Sequence, residues 1–166
     1  MSVDNTKLNK MYQIFVKYSE LISHMKCSNR GGYKAPHKAI YLLTIIDLVE
    51  EGVICNNRFN ISTILISKFA EVWRKHIGDS PYFNINIWNP IYYIEQNILR
   101  KEYNHGCENA RCPGSIGRCN EVFAYIEIPS DLFLLLQEDE FRSVLRMMII
   151  DVYITNNRIR SSLPIF

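Results

Sequence analysis

Apolar residues recur at helical spacing through the first segment, residues 5–26: Leu8, Met11, Tyr12, Phe15, Tyr18, Leu21, Ile22 and Met25. The pattern predicts an amphipathic helix with that stripe turned inward. Ser28-Asn29-Arg30-Gly31-Gly32 interrupts it, since a glycine pair costs backbone entropy in a helix and suits a turn. Tyr33-Lys34-Ala35-Pro36 leads into a second helix, with Pro36 in the first turn, where its missing N–H removes no bond. Ala39, Ile40, Leu42, Leu43, Ile45, Ile46, Leu48 and Val49 make this helix apolar nearly all round, so it is expected to be the buried centre. Gly52, after Glu50-Glu51, suits its C-terminal stop.

Shorter patterns follow. Residues 53–55 and 58–61 read as a small hairpin about Asn56-Asn57 or as two short strands. Ser62 caps a third helix over residues 63–77, with Ile64, Leu65, Phe69, Val72 and Trp73 inward. An aromatic and amide-rich loop spans residues 82–90. Residues 91–94 and 98–103 read as paired strands around Glu95-Gln96-Asn97, and residues 104–120 as an irregular loop bearing cysteines. A strand over residues 122–128, a short helix over 131–137 and a last helix over 139–154 complete the pattern, the last with Phe141, Val144, Leu145, Met148, Ile149 and Val152 inward. No linker divides these elements. They predict an α+β, mainly helical single domain over residues 1–155, with a buried central helix and a small antiparallel sheet, followed by a tail over 156–166.

Composition narrows the function. The 166 residues are 48% hydrophobic and 22% charged, as expected of a globular domain. The longest apolar stretch, residues 39–49, is broken by Thr44 and Asp47 and falls short of the roughly 18–20 residues that span a bilayer. The first residues carry no basic and apolar leader pattern. Five cysteines, an odd number, fit reduced thiols, so the expected location is cytoplasmic. The net charge of +2 is low for a nucleic-acid binder, but its distribution is uneven. No acidic residue occurs between Leu21 and Ile46, where Lys26, Arg30, Lys34 and Lys38 all fall.

Three groups of residues could carry chemistry. At the start of the second helix, Lys34, His37 and Lys38 stand beside free backbone N–H groups, an arrangement that suits a phosphate; packing or capping by His37 is the other reading. In the loop 81–93, asparagines such as Asn86 and Asn89 and several aromatic rings could meet bases, or could pack the loop onto the core, as is expected of Trp88 and Tyr92. His105, Cys107, Cys112 and Cys119 could ligate zinc, though the tight Cys-x-x-Cys pair is missing; incidental thiols are the alternative. Nucleotide-binding, serine-hydrolase and metalloprotease motifs are absent. Asp47, Glu50 and Glu51 read as a solvated helix end.

The run from Pro36-His37-Lys38-Ala39-Ile40-Tyr41 to Gly52-Val53-Ile54 resembles the N-terminal domain of HNH-type type IV restriction endonucleases. Asn89-Pro90-Ile91-Tyr92-Tyr93-Ile94, Ala124-Tyr125-Ile126-Glu127-Ile128 and the run from Leu145-Arg146 to Val152-Tyr153 extend the resemblance, in order, over most of the chain. That domain is the DNA sulfur-binding domain, so the resemblance implies a module that reads phosphorothioated duplex DNA. It implies a shallow apolar pocket lined by His37, the stem of Lys38 and Pro90. Sulfur is larger and less hydrated than oxygen, so such a pocket favours it. Asn89 stands where the family has a tyrosine, and Tyr93 where it has a small residue, which makes Tyr93 the side chain expected to set sulfur preference. Arg30, Tyr33 and Lys34 are expected on neighbouring phosphates, and Asn86 or Asn89 at base edges. No HNH motif follows Tyr153. The chain is therefore expected to be no enzyme, to need no cofactor or metal, and to work with duplex DNA and a nuclease domain or subunit in bacterial defence. The rival expectation is a protein-interaction module on the same fold that has lost DNA.

Overall fold

The computed structural model describes residues 2–155; the tail over 156–166 lies outside the described residues. Helix α1 (Ser2–Ser23) leads to a hairpin of β1 (Asn29–Arg30) and β2 (Tyr33–Lys34). The two glycines between these strands both have positive φ, 58° at Gly31 and 85° at Gly32, as a two-residue turn that follows the strand twist requires. The expected break is thus a built hairpin. Helix α2 (His37–Glu50) follows and buries ten of its fourteen residues. Thr44, in the middle of it, satisfies its hydroxyl by donating to the Ile40 carbonyl at 2.7 Å. Gly52 ends α2 with φ of 75°.

Around α2 pack α3 (Thr63–His76), α4 (Trp88–Tyr93), α6 (Ser130–Leu136) and α7 (Asp139–Ile150), while α1 lies across α6 and α7. Ser62 caps α3 as expected, its Oγ accepting from the Leu65 N–H at 3.3 Å. A three-stranded antiparallel sheet, β3 (Arg58–Phe59), β4 (Arg100–Tyr103) and β5 (Phe123–Glu127), has the order β3-β5-β4. Phe59 and Lys101 both stand opposite Ile126. The fold is therefore α+β and mainly helical, with a buried central helix and a small antiparallel sheet.

Polar ties join the layers. The Tyr18 hydroxyl donates to Asp131 at 2.5 Å and Lys17 reaches the same carboxylate at 2.9 Å, fastening α1 to α6. Arg146 of α7 pairs with Asp47 at 3.0 Å and with Glu50, so those two α2 carboxylates are partnered across helices, contrary to the solvated reading. Among the described residues no helix is long and apolar enough to cross a membrane.

Several local expectations fail for physical reasons. Residues 91–94 are not a strand: the apolar, aromatic run belongs to α4, where Ile91 packs into the core. Pro90 is tolerated because it lies in the first helical turn, where no backbone donor is needed. Residues 53–55 form no strand; Arg58–Phe59 pairs instead with the distant β5. The loop expected over 104–120 ends in a helix, α5 (Ile116–Val122), whose cap is Ser115 Oγ accepting from the Arg118 N–H at 3.1 Å. The last helix passes at Asp151 into a π-helical turn through Thr155. Leu8, Tyr12, Ile64 and Val144, expected inward, are about half exposed or more.

Candidate nucleic-acid interface

The start of α2 forms one side of a cleft. The Ala35 N–H donates to the Ser28 carbonyl at 2.7 Å, which closes the hairpin loop and sets the first turn of α2. On the other side, Ser80 Oγ accepts from the backbone of Tyr82 (3.2 Å) and Phe83 (3.1 Å). Asn86 Oδ1 then accepts from the Asn89 N–H in the first turn of α4 at 3.1 Å. The cleft between them holds about 640 Å³. Seven of the nine residues expected from sequence line it: Arg30, His37, Lys38, Asn86, Asn89, Pro90 and Tyr93. Asn86 is therefore committed to the backbone by its oxygen, and Asn89 is exposed. Tyr93 is 61% exposed, its ring edge-on to Tyr92 with centroids 4.8 Å apart. Tyr92 itself is held by its hydroxyl, which donates to the Ala110 carbonyl at 2.9 Å.

His37 is a neutral wall. Its Nε2 lies 2.7 Å from the Asn84 carbonyl, so Nε2 carries the proton and donates. The ring packs on Trp73 at 4.9 Å and meets the Phe83 ring at 6.0 Å. Burial pulls its pKa below the usual histidine value, against the effect of the Asn84 bond.

Lys38 does not present its charge to the cleft. Its Nζ donates to Glu95 at 2.5 Å and to the Lys26 carbonyl at 2.6 Å, and its side chain is only 12% exposed. The helix-start cation expected to grip a phosphate is instead paired inward, leaving its stem as wall. Glu95 also accepts from the Lys26 N–H at 3.3 Å, while its second oxygen is buried without a partner. In the sequence Glu95 falls in the turn between two expected strands. Its signal was there, as an acid able to answer the acid-free basic run, but no spacing rule joins residues 38 and 95. Lys101 lies beneath, buried, donating to the Ile94 carbonyl at 3.0 Å. Burial, helped by the charge of Lys38 and opposed by Glu95, pulls its pKa down to about 8. The exposed cations at the cleft are Lys26 and Arg30.

Tyr33 and Lys34 lie outside this cleft. They line an adjoining cavity of about 200 Å³, where the Tyr33 and Tyr82 rings stand 5.0 Å apart at 35°. Tyr82 and Phe83 border both spaces.

His105, Cys107, Cys112 and Cys119 do not come together. Cys119 is fully buried in the core, Cys107 Sγ donates to the Glu121 carbonyl at 3.6 Å, and Cys112 Sγ lies 3.5 Å from the Trp88 carbonyl. Burial raises the Cys112 thiol and pushes Cys119 up to about 11, so both are protonated at neutral pH. Among the described residues no three His, Cys, Asp or Glu side chains form a group able to hold a metal ion. No family model matches the chain, and no curated protein matches it.

Proposed function

We propose that the chain is a DNA recognition module whose cleft at the head of α2 receives the backbone of duplex DNA and favours a phosphorothioate. The observation that carries this reading is the charge layout of the cleft. Its wall is a neutral imidazole, Pro90 and the stem of a lysine already paired with Glu95, while exposed Lys26 and Arg30 stand at the same cleft. Exposed cations attract the strand irrespective of sequence. A neutral, weakly hydrating wall discriminates against well-solvated oxygen and in favour of sulfur. Tyr93, exposed, is the side chain that meets the modified group, and Asn89, exposed with its Oδ1 accepting from Cys112 Sγ at 3.7 Å, is the amide that approaches a base edge.

Fluorescence anisotropy with two matched duplexes, one phosphorothioated, over a salt series tests this. The expected result is binding that weakens with salt, and tighter binding of the sulfur duplex. Arg30→Ala is expected to lower the slope of log affinity against log salt by about one unit. Absence of binding to either duplex overturns the reading.

One observation favours a second reading, a protein-interaction module. Tyr82, Ile85 and Tyr93, all bordering the cleft, are 39%, 49% and 61% exposed, and exposed aromatic groups around a depression suit a protein anchor. Affinity for DNA that is absent, or that ignores salt, supports it.

A further inference from the structure

We propose that the smaller cavity beside the cleft receives a single nucleobase projecting from the bound strand; this rests on the DNA-binding reading above. The cavity holds about 200 Å³. An apolar cavity of about 150 Å³ accepts one benzene ring, so this space is of the size of the ring system of a base. Four aromatic rings border it: Tyr33 and Tyr82, which stand together at 5.0 Å, Phe83 and Tyr153; aliphatic Ile77 and Ile154 add to the apolar lining. Such rings stack on any base, whatever its sequence. Tyr153 is fixed in place, because its hydroxyl donates to the Ile22 carbonyl and accepts from the Met25 N–H at 3.2 Å. The Lys34 ammonium lies 5.9 Å from the Tyr153 ring centroid and so puts a positive charge at the cavity lining.

The polar edge of the cavity has the right chemistry for a base. Ser80 Oγ accepts two backbone N–H bonds, so its own proton is left to donate. The neighbouring Asp79 carboxylate is exposed and, among the described residues, makes no hydrogen bond or ion pair, so it can accept. A donor beside an acceptor matches base edges, where an N–H group adjoins a ring nitrogen or carbonyl. The cavity also adjoins the cleft, since Tyr82 and Phe83 border both, so a base reaching it comes from a backbone lying in the cleft. Extruding a base costs unstacking, least where the base is already unpaired.

Two measurements on the full chain test this. Nucleoside 5′-monophosphates are titrated into ¹⁵N-labelled protein and followed by amide shifts. Saturable shifts at Tyr33, Ser80 and Phe83 are expected, weakened about tenfold by Tyr33→Ala and also weakened by Asp79→Asn, a surface change that leaves the fold intact. No shifts, or shifts confined to His37, Asn89 and Tyr93, overturn the proposal. In the second measurement, a duplex with one unpaired base is expected to bind about tenfold tighter than the same duplex with an abasic bulge, and Tyr33→Ala removes the difference. Equal, salt-sensitive affinity for the two overturns the base pocket and leaves the DNA reading standing. Nucleotide shifts at Tyr33 and Ser80 in a protein that binds neither duplex overturn the DNA reading and keep the nucleobase site.

Discussion

In the cleft, side chains from the head of α2 meet groups far along the chain: His37 reaches Asn84, 47 positions away, and Lys38 reaches Glu95, 57 positions away. In the segment 104–122, four soft ligands crowd residues 105–119, yet one thiol enters the core and two others turn to separate backbone carbonyls. Density along the chain and convergence in space are therefore different properties. Convergence comes from elements that α2 holds together, since α3, α4, α6 and α7 all pack on it. The cysteine segment is anchored by the buried Pro113, Cys119 and Val122, and its remaining thiols serve that local path.

The comparison can be broken first at Lys38. Lys38→Ala leaves Glu95 facing the cleft with one carboxylate oxygen already unpaired. The expected loss is about 2 kcal/mol of stability, less than the 3–5 typical of a fully buried pair, because Glu95 keeps some exposure. Weaker DNA binding accompanies it through the exposed negative charge. Chemical denaturation and anisotropy on one preparation check both, and unchanged values in each would mean that the pair organises nothing. Cys119→Ser is expected to cost about 1–3 kcal/mol, since it places a hydroxyl in a fully buried site; its DNA affinity, measured on folded protein, should not change.

A pH effect comes next. Burial holds the Lys101 pKa near 8, below the ordinary value of 10.5, so the unfolded chain binds more protons between those values. Stability is therefore expected to rise as pH climbs from about 8 toward 9.5, and Lys101→Met should flatten the rise. Denaturation midpoints across that range decide it; a fall with pH in the native sequence would contradict the burial of a charged amine there. The smallest effect is expected at Cys107→Ser, within about 0.5 kcal/mol, with DNA affinity unmoved by a chelator. A chelator-sensitive affinity would restore the cysteine segment as a site.

Legibility in the sequence followed the same division. The buried centre was plain because α2 is apolar on every face, and Ser62 and Gly52 marked ends by local chemistry alone. The residues lining the cleft were found by type and by the family resemblance, but their ionic state was not. The pairing of Lys38 with Glu95, and the neutrality of His37, depend on α4 and the loop before it packing on α2, which no local window contains. Ile91-Tyr92-Tyr93-Ile94 reads as a strand because it has strand-forming residues, whereas tertiary packing of Ile91 and the Asn86 side-chain bond to the Asn89 N–H favour the helix. Ser115 was a readable cap hidden among cysteines.

Gly31 gives the hairpin a role larger than that of a connector. A Cβ built there would lie 2.3 Å from the Tyr82 ring, so the ring rests directly over the missing side chain. Tyr82 is also the partition shared by the two spaces. One methyl group at residue 31 would lift that partition and merge two compartments into a single trough. A ligand that needs separate walls would then lose its fit without any wall residue having been changed. The absence of a side chain at this turn is thus an architectural setting of the surface around both spaces, inherited by every group that borders them.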